Sequence, residues 1–182
     1  MHSPQNTIEN YLLAKDGNRP HLLDGAFADY ALLQMEVRQG AITFPPLAQG
    51  REAIAETLVR NFNRSFENVY TVCLADPPAS DCEYFQCEWL VAMTEKDSRA
   101  VRVGCGQYEW RFAPDSGLAQ ELRITIETMQ SLPAADTLSV MTWATAWGGP
   151  WCSKAFALAS APSIAGVREV LERLAPKSAV AT

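Results

Sequence analysis

The chain has 182 residues, with 15 Lys and Arg against 21 Asp and Glu, a formal net charge of -6. Its cations are scattered singly among acids, so there is no basic track for a phosphate backbone, and nucleic acid is excluded as a partner. No stretch reaches the ~18 consecutive apolar residues of a membrane span, and Met1-His2-Ser3-Pro4-Gln5-Asn6 lacks the basic and apolar segments of a secretory signal.

A cytoplasmic protein with no membrane contact is therefore expected. The 5 cysteines, odd in number and irregular in spacing, fit reduced thiols rather than a disulfide framework. At 48% hydrophobic, a chain of this length buries about 70% of its unfolded surface, so a single domain with a real core is expected.

Ser3-Pro4 reads as an N-cap with proline at the first helical position, and Ile8, Tyr11, Leu12 and Lys15 follow on one helical face until Asp16-Gly17. Asn18-Arg19-Pro20 starts a second, short helix with Leu22, Leu23, Ala26 and Phe27, closed by a turn at Asp29-Tyr30. From Ala31 the period becomes two: Ala31, Leu33, Met35 and Val37 alternate with polar residues, as in a half-buried strand. A second short strand is predicted over 41–44, before Pro45-Pro46. A third helix opens at Gly50 with Ala53, Ile54, Thr57, Leu58, Asn61 and Phe62 on one face.

Strand-like runs over 69–75, 82–94, 100–113 and 119–129 then follow one another through turn-like linkers, the pattern of an antiparallel meander. Strands twice the usual ~5–6 residues cannot stay flat, so the sheet must curve and present a concave face. In the third of these runs Val101, Val103 and Cys105 share one parity and Tyr108, Trp110 and Phe112 the other, so a bulge is expected at Gly104-Cys105-Gly106. Beyond Leu132-Pro133 the composition shifts to Ala, Ser and Trp. Helical pieces are predicted over 135–147, 151–159 and 163–174, with 175–182 frayed. Residues 1–132 are read as the main domain, and 133–182 as a helical extension packed on it.

Polar-tipped aromatics on an apolar concave face are the chief functional signal, because buried phenol and indole groups need partners. The ligand-pocket candidates are Tyr11, Phe27, Met35, Cys87, Trp89, Tyr108 and Trp110. Tyr11 and Tyr108 would orient a polar group between apolar walls. Asp29 suits a turn-stabilising role, and His21 and Asp24, three apart, form either an acid–base pair or an exposed His21. Cys73, Cys87 and Cys105 lack the spacing of a metal site, so no metal or cofactor is expected. Trp143, Trp147 and Trp151 recur every four residues, but Gly148-Gly149-Pro150 interrupts any shared helix.

The element order, with Phe27-Ala28-Asp29-Tyr30-Ala31 and Gly50-Arg51-Glu52-Ala53-Ile54, resembles the NTF2-like superfamily, the cystatin-like α+β cone of SnoaL-like polyketide cyclases and ketosteroid isomerases. The resemblance covers Thr7 to about Met129. It implies that helices cover a curved antiparallel sheet around a pocket, with Tyr11 at the place of an oxyanion-donating tyrosine. At the position of the general-base aspartate stands Met35, which cannot take a proton, and the second oxyanion acid aligns with Tyr108. Two readings follow. One is a binder of a small apolar carbonyl or hydroxyl compound, with an isomerase, cyclase or dehydratase-like activity among its options. The other is a non-catalytic, homodimeric interaction domain with a filled core.

Overall fold

The structure, a computed structural model, describes residues 2–40 and 42–174. The expected frayed end at 175–182 and Ala41, the head of the expected 41–44 strand, lie outside the described residues.

Helix α1 spans Pro4–Asp16, and the Ser3 side chain caps it by accepting from the Asn6 amide at 3.2 Å. The expected second helix is only a 3-10 turn, Pro20–Gly25. Strand β1 (Phe27–Val37) begins four residues earlier than the alternation indicates, because the start of β6 captures the chain: the Ala119 amide donates to the Ala26 carbonyl. Residues 42–46 form no strand. The short β2 is Leu47–Gln49, beyond the prolines, which carry no donor for a ladder.

Helix α2 (Arg51–Ala55) runs through a π-helical turn, Glu56–Asn61, into α3 (Phe62–Ser65). The wider turn changes the buried set to Ile54, Ala55, Leu58, Val59, Phe62 and Asn63, a four-residue period, and leaves the expected Ala53 and Asn61 exposed.

Strands β3 (Phe66–Cys73), β4 (Tyr84–Glu95), β5 (Val101–Phe112) and β6 (Ala119–Leu132) form the meander. The sheet order is β2-β1-β6-β5-β4-β3, and β1 lies parallel to β6, so the sheet is mixed rather than wholly antiparallel.

The expected bulge sits at the predicted level but on the other strand. Strand β5 keeps unbroken register with β4, whereas against β6 the register slips between Cys105 and Gly106, with Glu127 the extra residue. The parity change within β5 has a different cause, since its two ends feed two cores. Val101, Val103 and Cys105 face outward into one cluster, while Tyr108, Trp110 and Phe112 face the concave side. The glycines are needed for close approach. A Cβ on Gly106 would come within 2.7 Å of the Trp89 ring, and one on Gly104 within 2.5 Å of the Met129 methyl.

The inner core lies between the concave face and α1 through α3. The outer core lies under α4 (Thr137–Thr145), α5 (Lys154–Ala159) and α6 (Ala165–Leu174), which cover part of the convex face. Trp143 and Trp147 pack there edge to face, 5.0 Å apart. Trp151 does not join them: it meets Phe85 at the sheet edge, where Cys73 forms an isolated parallel bridge to it. Among the described residues, no helix is long and apolar enough to cross a membrane.

Candidate functional site

Strand parity and the inner face of α1 bring Tyr11, Met35, Trp89 and Tyr108 together around a cavity of about 40 Å³ inside the cone. Its walls are otherwise apolar and include Leu58, Phe62, Val91, Met93, Ile124 and Met129. The other three candidates stand behind that wall. Phe27 and Trp110 stack 6.0 Å apart, with Trp110 5.3 Å from the Tyr11 ring, and Cys87 is buried against Cys73.

The polar groups of the cavity gather on one side. Tyr11 and Tyr108 are hydrogen-bonded to each other, with rings edge to face at 5.8 Å. Burial raises the pKa of both phenols, so both stay protonated at neutral pH. A phenol pair uses only one of its two O–H groups, which leaves one donor for an incoming acceptor. Trp89 stacks on Tyr108 at 5.6 Å, and its indole N–H has no acceptor among the described residues.

Lys15, one helical turn after Tyr11, also lines the cavity. Its Nζ donates to Thr71 Oγ1 at 2.7 Å and to Asp16 Oδ1 at 2.5 Å, and lies 5.0 Å from the centre of the Phe62 ring. Two of its three N–H groups are thus engaged. Lys15 falls on the apolar face of α1 in the sequence and is not among the pocket candidates there, although a lysine on an otherwise buried face is itself the signal. Thr71, Phe62, Met93 and Met129 carry no such mark in the sequence.

Met35 presents its thioether to the cavity where the resemblance places a base, while Glu36 on the opposite parity is exposed and paired with Arg38 at 3.3 Å. Among the described residues, no carboxylate lines the cavity. Asp24 and Asp29 flank Arg51 at 3.3 and 2.5 Å on the surface, so Asp24 serves an ion pair with Arg51. A wider groove of about 810 Å³ runs outside, between α1, the β3 edge and the 148–151 loop. Thr71 borders both spaces.

No protein-family model matches the chain, and no curated protein matches its sequence. Solved structures do match its fold. A putative isomerase from Rhodopseudomonas palustris superposes with a TM-score of 0.57 at 16% identity, covering 70% of this chain and 91% of that one. A hypothetical protein of ketosteroid isomerase-like fold from Catenulispora acidiphila, in complex with trimethylamine, gives 0.52 at 15%, covering 65% and 82%. An NTF2-like protein from Burkholderia xenovorans gives 0.51 at 12%, covering 70% and 92%. The fold is therefore the NTF2-like, cystatin-like α+β cone, and at these identities the likeness extends to the fold alone.

Proposed function

We propose that the cone binds a small, largely apolar molecule whose carbonyl or hydroxyl oxygen accepts from the Tyr11–Tyr108 pair. The observation that carries this reading is the one-sided arrangement of donors, Tyr11, Tyr108 and Lys15, in an otherwise apolar cavity. A site of that kind orients an acceptor while its walls select for shape and apolarity. Lys15 over Phe62 already occupies the place a ligand cation would take, so a neutral or acidic acceptor suits the site better than an amine. With Met35 in the base position and no carboxylate on the described lining, the reading is of binding and polarising, not of carbon-proton abstraction. Met35, Met93 and Met129 supply adaptable side chains that let the walls re-form around a guest.

A specific observation favours the second reading, a filled core that serves an interaction domain. The cavity volume, about 40 Å³, is near the ~30 Å³ share of one water and below the ~300 Å³ of ordinary ligand pockets. Native mass spectrometry of protein freshly purified from cells separates the readings. A small molecule retained by the wild type and lost in Tyr11→Phe/Tyr108→Phe is expected. A bare wild-type chain, as monomer or dimer, whose thermal stability no carbonyl or hydroxyl compound in a small-molecule panel raises, gives the filled-core reading instead.

A further inference from the structure

Cys73 is the last residue of β3 and stands opposite Trp89 of β4. Cys87, two residues before Trp89, shares its face of the sheet by the period-two rule. The two thiols are in hydrogen-bond contact, and both residues belong to the inner core, at 0% and 6% exposure. The Cys73 backbone is pinned in place: its amide donates to the Pro150 carbonyl at 2.8 Å, and its carbonyl accepts from the Cys152 amide at 3.0 Å. The remaining cysteines point elsewhere. Cys105 and Cys152 belong to the outer core, and Cys82 lies before β4 with its thiol on the Tyr84 carbonyl.

We propose that Cys73 and Cys87 form a reversible dithiol–disulfide couple in the inner core, oxidised by a small neutral hydroperoxide. In the first step the Cys87 sulfur attacks the peroxide as thiolate: an S–O bond forms, the O–O bond breaks, and the departing hydroxide or alkoxide takes up the Cys87 proton and leaves as water or alcohol, giving a sulfenic acid. The Cys73 sulfur then displaces that hydroxyl: an S–S bond forms, the S–O bond breaks, and the Cys73 proton goes to the departing hydroxide, which leaves as water. Two thiols lose two electrons and two protons, and the peroxide gains both.

The Cys87 contact and burial hold the Cys73 thiol well above its ordinary pKa, which keeps it protonated and slows the reaction of the pair. Burial also excludes bulky or charged oxidants, so the exchange is slower than oxidation of a surface thiol. The consequence reaches the cone, because Cys73 lies close enough to Tyr11 and Tyr108 to act on both electrostatically. The couple needs no ligand in the cavity and stands apart from the binding reading.

The test treats the wild-type chain with hydrogen peroxide until Cys82, the more accessible thiol, is consumed. The protein is then denatured, alkylated with iodoacetamide and digested for peptide mapping. A Cys73–Cys87 linked peptide, lower by two hydrogens and restored by dithiothreitol, is expected, with Cys105 and Cys152 alkylated. In Cys73→Ser, the sulfenic acid at Cys87 has no resolving partner and is trapped by dimedone. Cys73 and Cys87 both still alkylated when Cys82 is gone, or Cys73 linked to any other cysteine, overturns the proposal.

Discussion

One sheet separates two cores of different character. The outer core, beneath α4 to α6, joins small and aliphatic residues of β3 to β5 to two tryptophans, and the Trp143 indole donates to the Ala157 carbonyl at 3.0 Å. The inner core holds Tyr11, Trp89, Tyr108 and Trp110, a buried lysine, two contacting thiols and a residual void. Among the described residues, Trp89 and Trp110 on this side and Trp147 on the other have indole donors without acceptors. Unpaired buried donors are tolerated where a structure is kept for something other than stability alone. The comparison teaches that the ionisable and polar-tipped side chains gather on the concave side of the sheet, while the C-terminal extension covers the convex side with mostly aliphatic and indole packing.

The largest effect that would sharpen this contrast is the loss of Trp143. Trp143→Ala removes a fully packed ring and its hydrogen bond, and should cost about 4 kcal/mol in urea unfolding. A cost under about 1 kcal/mol would show that the extension is loosely attached and would break the comparison. Next comes Gly106→Ala, whose Cβ would lie 1.8 Å from the Thr125 carbonyl oxygen. Overpacking at the point where the register slips should cost about 3 kcal/mol, and amide exchange should show the β5–β6 ladder opening first.

Smaller effects come from the phenol pair. Tyr108→Phe leaves Tyr11 without its buried partner and should cost about 1–2 kcal/mol at neutral pH. The folded state raises the pKa of both phenols, so their contribution is complete below an unfolded value of ~10 and is lost as pH rises beyond it. Denaturant titrations above that pH should therefore fall less steeply in Tyr108→Phe than in the wild type. Cys105, pushed up to about 12 by burial, adds a loss of the same sign that begins at lower pH, and Cys105→Ala should remove it.

The smallest effect lies on the surface. The Ser98 hydroxyl and Arg102 hold the Glu95 pKa down, so Glu95 stabilises the fold above ~4.3 and less as the pH falls below it. Ser98→Ala should flatten that acid limb slightly, in a solvent-screened setting.

Much of the architecture was legible because local signals coincide. Ser3 and Pro4 announce α1, and Phe85, Cys87, Trp89, Val91 and Met93 announce the inward face of β4. Where the reading failed, a long-range contact decided. The Ala26 carbonyl is taken by Ala119, which turns the end of an expected helix into the start of β1. The phase change in β5 was visible, but one sequence cannot tell a bulged strand from a straight one shared by two cores. The site was partly legible. Met35, Trp89 and Tyr108 follow from strand parity and Tyr11 from the helical period of α1, whereas Phe27, Cys87 and Trp110 share the concave face yet sit one layer behind the cavity. Depth along a cone is set by curvature, which residue periodicity does not encode.

The parallel pairing of β1 with β6 also sets a timetable. Gln34 meets Arg123 across 89 residues, whereas β3 to β6 are joined in sequence by hairpins. Closing so long a loop is entropically slow, while neighbouring hairpins form early. On a ribosome, β1 is made first and can pair early only with the three residues of β2, while its other edge must wait for the last strand of the meander. Until then the edge of β1 that β6 will cover stays open, with the apolar Ala31, Leu33 and Met35 beside it, a stretch exposed to mispairing in the nascent chain.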